Sequence, residues 1–284
     1  MQRLINKLDE KGFTYGTIRL LKSLLNEMFK KAVGNGYMLI NPCDAVVMPR
    51  KVTYEPRFLT EREQEMFLEV AREYYHYDIF CVSLSMGARI GEVLGLKWSD
   101  IDFDKKMIHI QRTLHYGKVQ ENESCHFFFT SPKTTTSDRC IPLLPETEMI
   151  LKRVRKRQLR NRMLYGSQWE TTPPFDDMVF TTQQGAPVRY GDVNRTIKSV
   201  VLKANLQEEE LAGFEKREPF VLKPFSPHCF RHTFVTRCKM NGVPYETIQS
   251  YVGHSDKETT AYYDHNKQIV DMESLKQISL LGVV

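Results

Sequence analysis

The sequence lacks several things that would each have named a class. No run of about 18 apolar residues occurs, so no membrane-spanning helix is expected. The opening residues, MQRLINKLDEKG, have no apolar centre of the kind a signal peptide carries, and the protein is expected to stay where it is made, in the cytoplasm. The six cysteines (Cys43, Cys81, Cys125, Cys140, Cys229 and Cys238) form no C-x-x-C pair, which argues against a zinc ribbon or a redox dithiol and for reduced thiols. There is no Walker pattern, no dinucleotide glycine pattern and no G-x-S-x-G elbow. No carboxylate pair recommends acid–base hydrolysis, and a metal-dependent nuclease lacks its carboxylate cluster. Internal repeats and low-complexity tracts are also missing.

Apolar residues make up 41% of the 284 and charged residues 26%, enough for a packed core in one large domain or two ordinary ones. A net charge of +5 hints only mildly at a polyanionic partner. Ile18, Leu21, Leu25, Met28, Phe29 and Ala32 recur at helical spacing, predicting an amphipathic helix over 16–34 that ends at Gly34 and Gly36. Leu4, Ile5 and Leu8 suggest a shorter helix before it. Two helices are too few to bury a core. Asn41-Pro42 and Pro49-Arg50-Lys51 mark a basic, extended linker.

A new domain opens at the capping box Thr60-Glu61-Arg62-Glu63. An apolar helix is expected over 78–86, then a small antiparallel sheet within 101–142, with a loop at 131–137 between its last two strands. Residues 145–165 read as a helix whose basic residues lie all round it, a solvated face. Met178 to Phe180 reads as a short strand, 190–202 as a helix, and Glu208-Glu209-Glu210 as a surface insertion. Helices are expected over 227–240, 244–251 and 257–263, followed by an apolar tail. The fold class is therefore mainly α with a small antiparallel β-sheet, α+β.

Three segments could carry chemistry. Arg89 and Glu92 stand three apart on one helix face, either as an ordinary salt bridge or as a guanidinium fork held by the carboxylate and aimed at an anion. His228 and Arg231 share a face near a helix start, where free amides also favour anions. His228 and His232 have i, i+4 spacing, but Cys229 stands where a zincin needs Glu, so zinc is not expected. Gly253-His254-Ser255 precedes Thr259-Thr260-Ala261-Tyr262-Tyr263. Taken singly, each His or Tyr could be core packing. Together, arginines, histidines, a loop lysine and tyrosines suit a phosphodiester. Arginines neutralise the oxygens of a pentacoordinate phosphorus, a lysine or histidine protonates a leaving oxygen, and a tyrosine forms a covalent phosphoryl intermediate.

These segments resemble the boxes of the tyrosine recombinases, the phage and transposon integrase family. Gly87, Arg89 and Glu92 followed by Leu94-Gly95-Leu96-Lys97-Trp98 is similar to its first arginine box. Lys133-Thr134 with Ser137, Arg139 and Ile141-Pro142-Leu143 is similar to its hairpin lysine. His228-x-x-Arg231-His232-Thr233-Phe234 is similar to its second box. Gly253-His254, Thr259-Thr260 and Tyr263 are similar to its last, and they come in family order over 59–265. The resemblance implies Tyr263 as nucleophile with Tyr262 as the alternative, Arg89 and Arg231 on the non-bridging oxygens, His228 assisting proton transfer, His254 hydrogen-bonding the phosphate, Lys133 as acid and Glu92 supporting the arginines. No metal, cofactor or ATP is implied.

The domains expected are a partial helical core-binding domain over 1–50, a linker over 51–58, the catalytic domain over 59–265, and a tail over 266–284 docking on a neighbouring subunit. The partners implied are double-stranded DNA, further copies of the chain in a tetramer on DNA, and accessory DNA-bending or excision factors. The setting implied is bacterial or phage, associated with the nucleoid. A type IB topoisomerase and a DNA-binding protein with decayed catalysis are the alternatives.

Overall fold

The computed structural model describes residues 1–51, 56–121, 123–130 and 138–253. The chain divides into two compact units, Met1–Glu55 and Pro56–Val284. The first holds α1 (Gln2–Glu10) and α2 (Tyr15–Gly34), the latter capped by the Thr14 hydroxyl, which accepts from the Thr17 N–H at 3.3 Å. On α2 only Ile18 is fully buried, and Met28 is 65% exposed. Met28 therefore leaves the expected buried face and forms a separate stripe with Leu20 and Leu24, one turn apart.

In the second unit α3 (Glu61–Ala71) starts at the expected capping box. The Thr60 hydroxyl accepts from the Glu63 N–H at 3.3 Å, and Glu63 accepts from the Thr60 N–H at 3.0 Å. The helix α4 (Tyr77–Met86) is buried from Asp78 onward, as its nearly unbroken apolar sequence requires. Its serines are satisfied: Ser83 donates to the Ile79 carbonyl at 2.7 Å, and Ser85 donates to the Val82 carbonyl at 3.2 Å and accepts from Thr147 at 2.8 Å. It ends at Gly87, in the left-handed conformation, and the short helix α5 (Ile90–Leu94) follows.

The strands β1 (Ile101–Asp102), β2 (Met107–Ile110) and β5 (Arg139–Pro142) make one antiparallel sheet, with β2 in the middle; β3 (Thr113–Gly117) and β4 (His126–Thr130) make a second. One sheet was expected. The split falls at Gln111 and Arg112, which turn inward to bind the buried Asp100 carboxylate, at 2.8 and 2.5 Å. Residues 178–180 form no strand, only isolated bridges between Lys97 and Met178 and between Thr181 and Pro187.

The helix α6 (Pro145–Tyr165) begins with Pro145, whose missing N–H is not needed there. Its basic residues are not all a solvated face. Arg153 and Arg157 reach back to the buried Asp78 at 2.5 and 2.6 Å, tying α6 to α4. The helix α7 (Tyr190–Glu215) runs well past residue 202 and absorbs the acidic triplet. Glu208 is no surface insertion. It accepts from Arg217 at 2.6 Å and from the Phe220 N–H at 2.9 Å, and these bonds hold its carboxyl down at about 2. The last described helices are α8 (His228–Met240) and α9 (Tyr245–Val252). The helix expected over 257–263 and the tail lie outside the described residues. Among the described residues, no helix is long and apolar enough to cross a membrane.

Candidate active site

The start of α8 is set on an aromatic block. Phe67, Phe80, Phe225 and Phe230 meet with ring centroids 5.1 to 5.8 Å apart. Burying each such ring contributes roughly 1.5–3 kcal/mol. Thr233 fastens the next turn, accepting from the Leu59 N–H and donating to the Cys229 carbonyl, both at 2.9 Å. With its apolar side pinned, α8 points His228 and Arg231 toward the corner between α4 and α5.

That corner is built around Gly87. Its φ of +56° puts it in the region glycine adopts without strain, and a Cβ there would sit 2.3 Å from the Phe234 ring. The close approach lets Arg231 donate to the Gly87 carbonyl at 3.1 Å. Gly87→Ala is expected to destabilise the protein by about 3 kcal/mol, combining left-handed strain with overpacking. That would lower the thermal midpoint by roughly 6–12 °C. A circular-dichroism melt matching the wild type would refute the close-packed corner.

Two residues on, Arg89 caps α5 instead of lying on a helix, and Glu92 folds back to it. Glu92 accepts from the Arg89 N–H and from its guanidinium, both at 2.9 Å. Arg89 keeps 42% of its side chain exposed, whereas Glu92 keeps 5%. The salt bridge and the fork, both open from sequence, are thus one arrangement: Glu92 grips one edge of the guanidinium and leaves the rest outward. Burial pushes the Glu92 carboxyl up. The Arg139 ion pair and the bonds from Arg89 outweigh it, and the group stays below its ordinary value.

Arg231 is only 2% exposed. Its Nη2 has no hydrogen-bond partner among the described residues. A buried guanidinium with an unused donor is costly unless something anionic meets it. Burial, then the neighbouring Arg89 charge, pull its pKa down to about 10. His228 stands at the exposed start of α8, its ring 4.6 Å from that of His232 and edge-on to it. Loss of solvent, then the charges of His232, Arg231 and Arg89, lower the His228 pKa. His232 is lowered by loss of solvent and by Arg231. Both rings are therefore neutral at neutral pH. Among the described residues, no cluster of three or more His, Cys, Asp or Glu could hold a metal ion.

Of the residues expected from sequence, Arg89, Glu92, His228 and Arg231 are brought together. Lys133, His254 and Tyr263 lie outside the described residues. One residue was missed as a participant. Arg139, quoted in the sequence only as part of the hairpin pattern, is buried against Glu92 at 3.0 Å. Its only sequence signal was an arginine at the head of a short apolar strand, directly after Asp138.

A site holding clustered guanidinium groups, one unused buried donor and neutral imidazoles fits an anion with several charged oxygens. Comparison with known proteins agrees in kind. The chain is 29% identical over 275 residues to a tyrosine recombinase XerC-like protein of Caldanaerobacter subterraneus subsp. tengcongensis, covering 93% of this chain and 66% of that one. It is 27% identical over 280 residues to the transposase from transposon Tn916 of Enterococcus faecalis, covering 96% and 64%. It thus spans about two thirds of the length of these curated relatives. Among solved structures, the Tn1549 transposon integrase in complex with a circular intermediate DNA superposes with a TM-score of 0.72 at 25% identity, over 90% of this chain and 76% of that one. The model of the phage integrase family matches residues 57–268, nearly all of the second unit's described part and the segment carrying Tyr263. By its sequence boxes and by this match, the chain belongs to the phage integrase family of tyrosine recombinases.

Proposed function

We propose that the protein is a site-specific DNA recombinase that cleaves and rejoins strands through a 3′-phosphotyrosyl intermediate, with neither metal nor ATP. The observation that carries the reading is the unused, buried Nη2 of Arg231 beside the outward edge of Arg89. Two guanidinium groups converging there match the non-bridging oxygens of one phosphodiester.

The Tyr263 phenol oxygen attacks phosphorus and its proton passes to neutral His228. The bond from phosphorus to the 5′-oxygen breaks, and that oxygen takes a proton from Lys133. His254 donates a hydrogen bond to the phosphate. Rejoining is the reverse, and the energy of the broken bond is kept in the phosphotyrosine. The substrate proposed is double-stranded DNA. The unit Met1–Glu55 is proposed as part of a core-binding domain, and the catalytic assembly as a tetramer of this chain on DNA, with accessory DNA-bending or excision factors. The relatives' descriptions support DNA as the substrate: one is a transposase, and the Tn1549 integrase was solved with DNA.

The test is to incubate the protein in EDTA with a duplex of its own attachment site, nicked so that the short fragment bearing the new 5′-hydroxyl diffuses away. A covalent protein–DNA adduct is expected. Its absence, or a strict need for added metal, would defeat the reading.

A pH profile tests the role of His228. Because loss of solvent and the nearby arginines oppose its protonation, the base is neutral down through the ordinary imidazole value. The acid limb of kcat/KM for adduct formation is therefore expected below pH ~6.5. It should disappear, with a lower plateau, in His228→Gln. A midpoint at or above pH ~6.5 would contradict this assignment.

A further inference from the structure

Arg139 opens β5 and is 6% exposed. Its guanidinium reaches two ways. Nε donates to the Tyr251 carbonyl at 2.8 Å, and Nη2 donates to Glu92 Oε2 at 3.0 Å. Tyr251 sits in the last turn of α9, just before the Gly253 cap. A helix's terminal carbonyls carry partial negative charge that a cation complements. On its other side Glu92 holds Arg89. One planar group therefore joins β5, the first arginine corner and the end of α9, segments 47 and 112 positions away along the chain.

The charge balance gives this contact a consequence beyond packing. Glu92 paired with Arg89 alone would form a neutral couple, with little attraction for phosphate. Arg139 shares the same carboxylate, so the Arg89 charge is no longer cancelled. Among the described residues, three guanidinium groups (Arg89, Arg139 and Arg231) face one carboxylate, an excess of two positive charges. That suits the charge that develops on phosphorus oxygens during strand cleavage, in surroundings where charges act more strongly than in water.

We infer that Arg139 is a positioning residue for strand cleavage: it neutralises Glu92 and fixes its rotamer, so that Arg89 offers its outward edge and its full charge to the scissile phosphate. The inference rests on reading this site as one that cleaves a phosphodiester. Lysine at 139 keeps the charge but lacks the planar fork that spans both the carboxylate and the Tyr251 carbonyl. Methionine removes both.

The test compares the unaltered chain, Arg139→Lys and Arg139→Met on nicked duplexes of the attachment site. One duplex carries an ordinary scissile phosphate. The other carries a methylphosphonate there, whose methyl group replaces a charged oxygen and removes the need to neutralise it. On the ordinary phosphate, adduct formation is expected to slow by about 100-fold in Arg139→Met and about tenfold in Arg139→Lys, with DNA affinity within roughly threefold. On the methylphosphonate both deficits should shrink several-fold. A merely structural role would slow both substrates equally, and that result would overturn the inference, as would unchanged rates. Should Arg139→Met melt below the assay temperature, Arg139→Lys carries the same comparison. If the unaltered chain forms no adduct, the strand-cleavage reading fails and takes this inference with it. An adduct without a phosphate-selective deficit overturns the inference alone.

Discussion

Tyr263→Phe is expected to abolish the covalent adduct altogether, while Tyr262→Phe leaves it within a few-fold of the unaltered chain. Phenylalanine preserves the ring and removes only the oxygen that would bond to phosphorus, so no residual nucleophile remains at that position. Binding should survive, because most affinity for a duplex comes from contacts with phosphates away from the scissile one. The measurement is denaturing gel electrophoresis of the protein with labelled, nicked DNA, alongside a band-shift titration at fixed salt. An adduct that persists in Tyr263→Phe and vanishes in Tyr262→Phe would move the nucleophile by one residue. The nine-residue step from His254 to Tyr263 is what favours the second tyrosine.

Arg231→Met is expected to lower the cleavage rate by about 10³-fold without lowering stability. The two halves of that expectation come from the same burial. Arg231 gives one donor to the Gly87 carbonyl and leaves another unused among the described residues. Burial first, and then the charges of Arg89 and Arg139, disfavour its charged form. Its pKa of about 10 against an ordinary 12.5 places the folding penalty of that charge on the order of 3 kcal/mol at neutral pH. The sign follows from the direction of the shift. The folded state binds this proton less tightly than the unfolded state does, so the penalty applies fully below the folded pKa and is relieved only as pH rises above it. Methionine fills much of the same volume without the charge, and the melting temperature should hold or rise. A drop of more than roughly 10 °C would mean that the arginine supports the fold instead of straining it.

Much of this site was legible in sequence because its boxes are local. Arg89 and Glu92 are three residues apart and bond to each other, and His228 and Arg231 are one helical turn apart. The Thr60 capping box lies within four residues and formed as read. What failed depended on partners that helix or strand periodicity does not reach. The break between β2 and β3 is decided by Asp100, which draws in Gln111 and Arg112. The length of α7 depends on Glu208 meeting Arg217 and Phe220 beyond the helix end. Arg153 and Arg157 looked solvated because Asp78, their partner, lies on another helix 75 or more positions earlier. The role argued for Arg139 was hidden for the same reason. In the sequence it is one arginine in a strand, and both groups that explain it come from far along the chain.

The alternation along β5 has a practical consequence. Arg139 and Ile141 turn inward, so Cys140 between them is exposed on the opposite face. Cys125 is the other exposed thiol among the described residues, and the remaining four are buried. Partial burial, and then the Asp138 charge, lift the Cys140 thiol above its ordinary value, so its alkylation should speed up as pH rises. With Cys125 replaced by serine, a fluorophore could be attached to the back of the strand whose front carries Arg139. Such a label would report changes around β5 during DNA engagement from the face opposite Arg139.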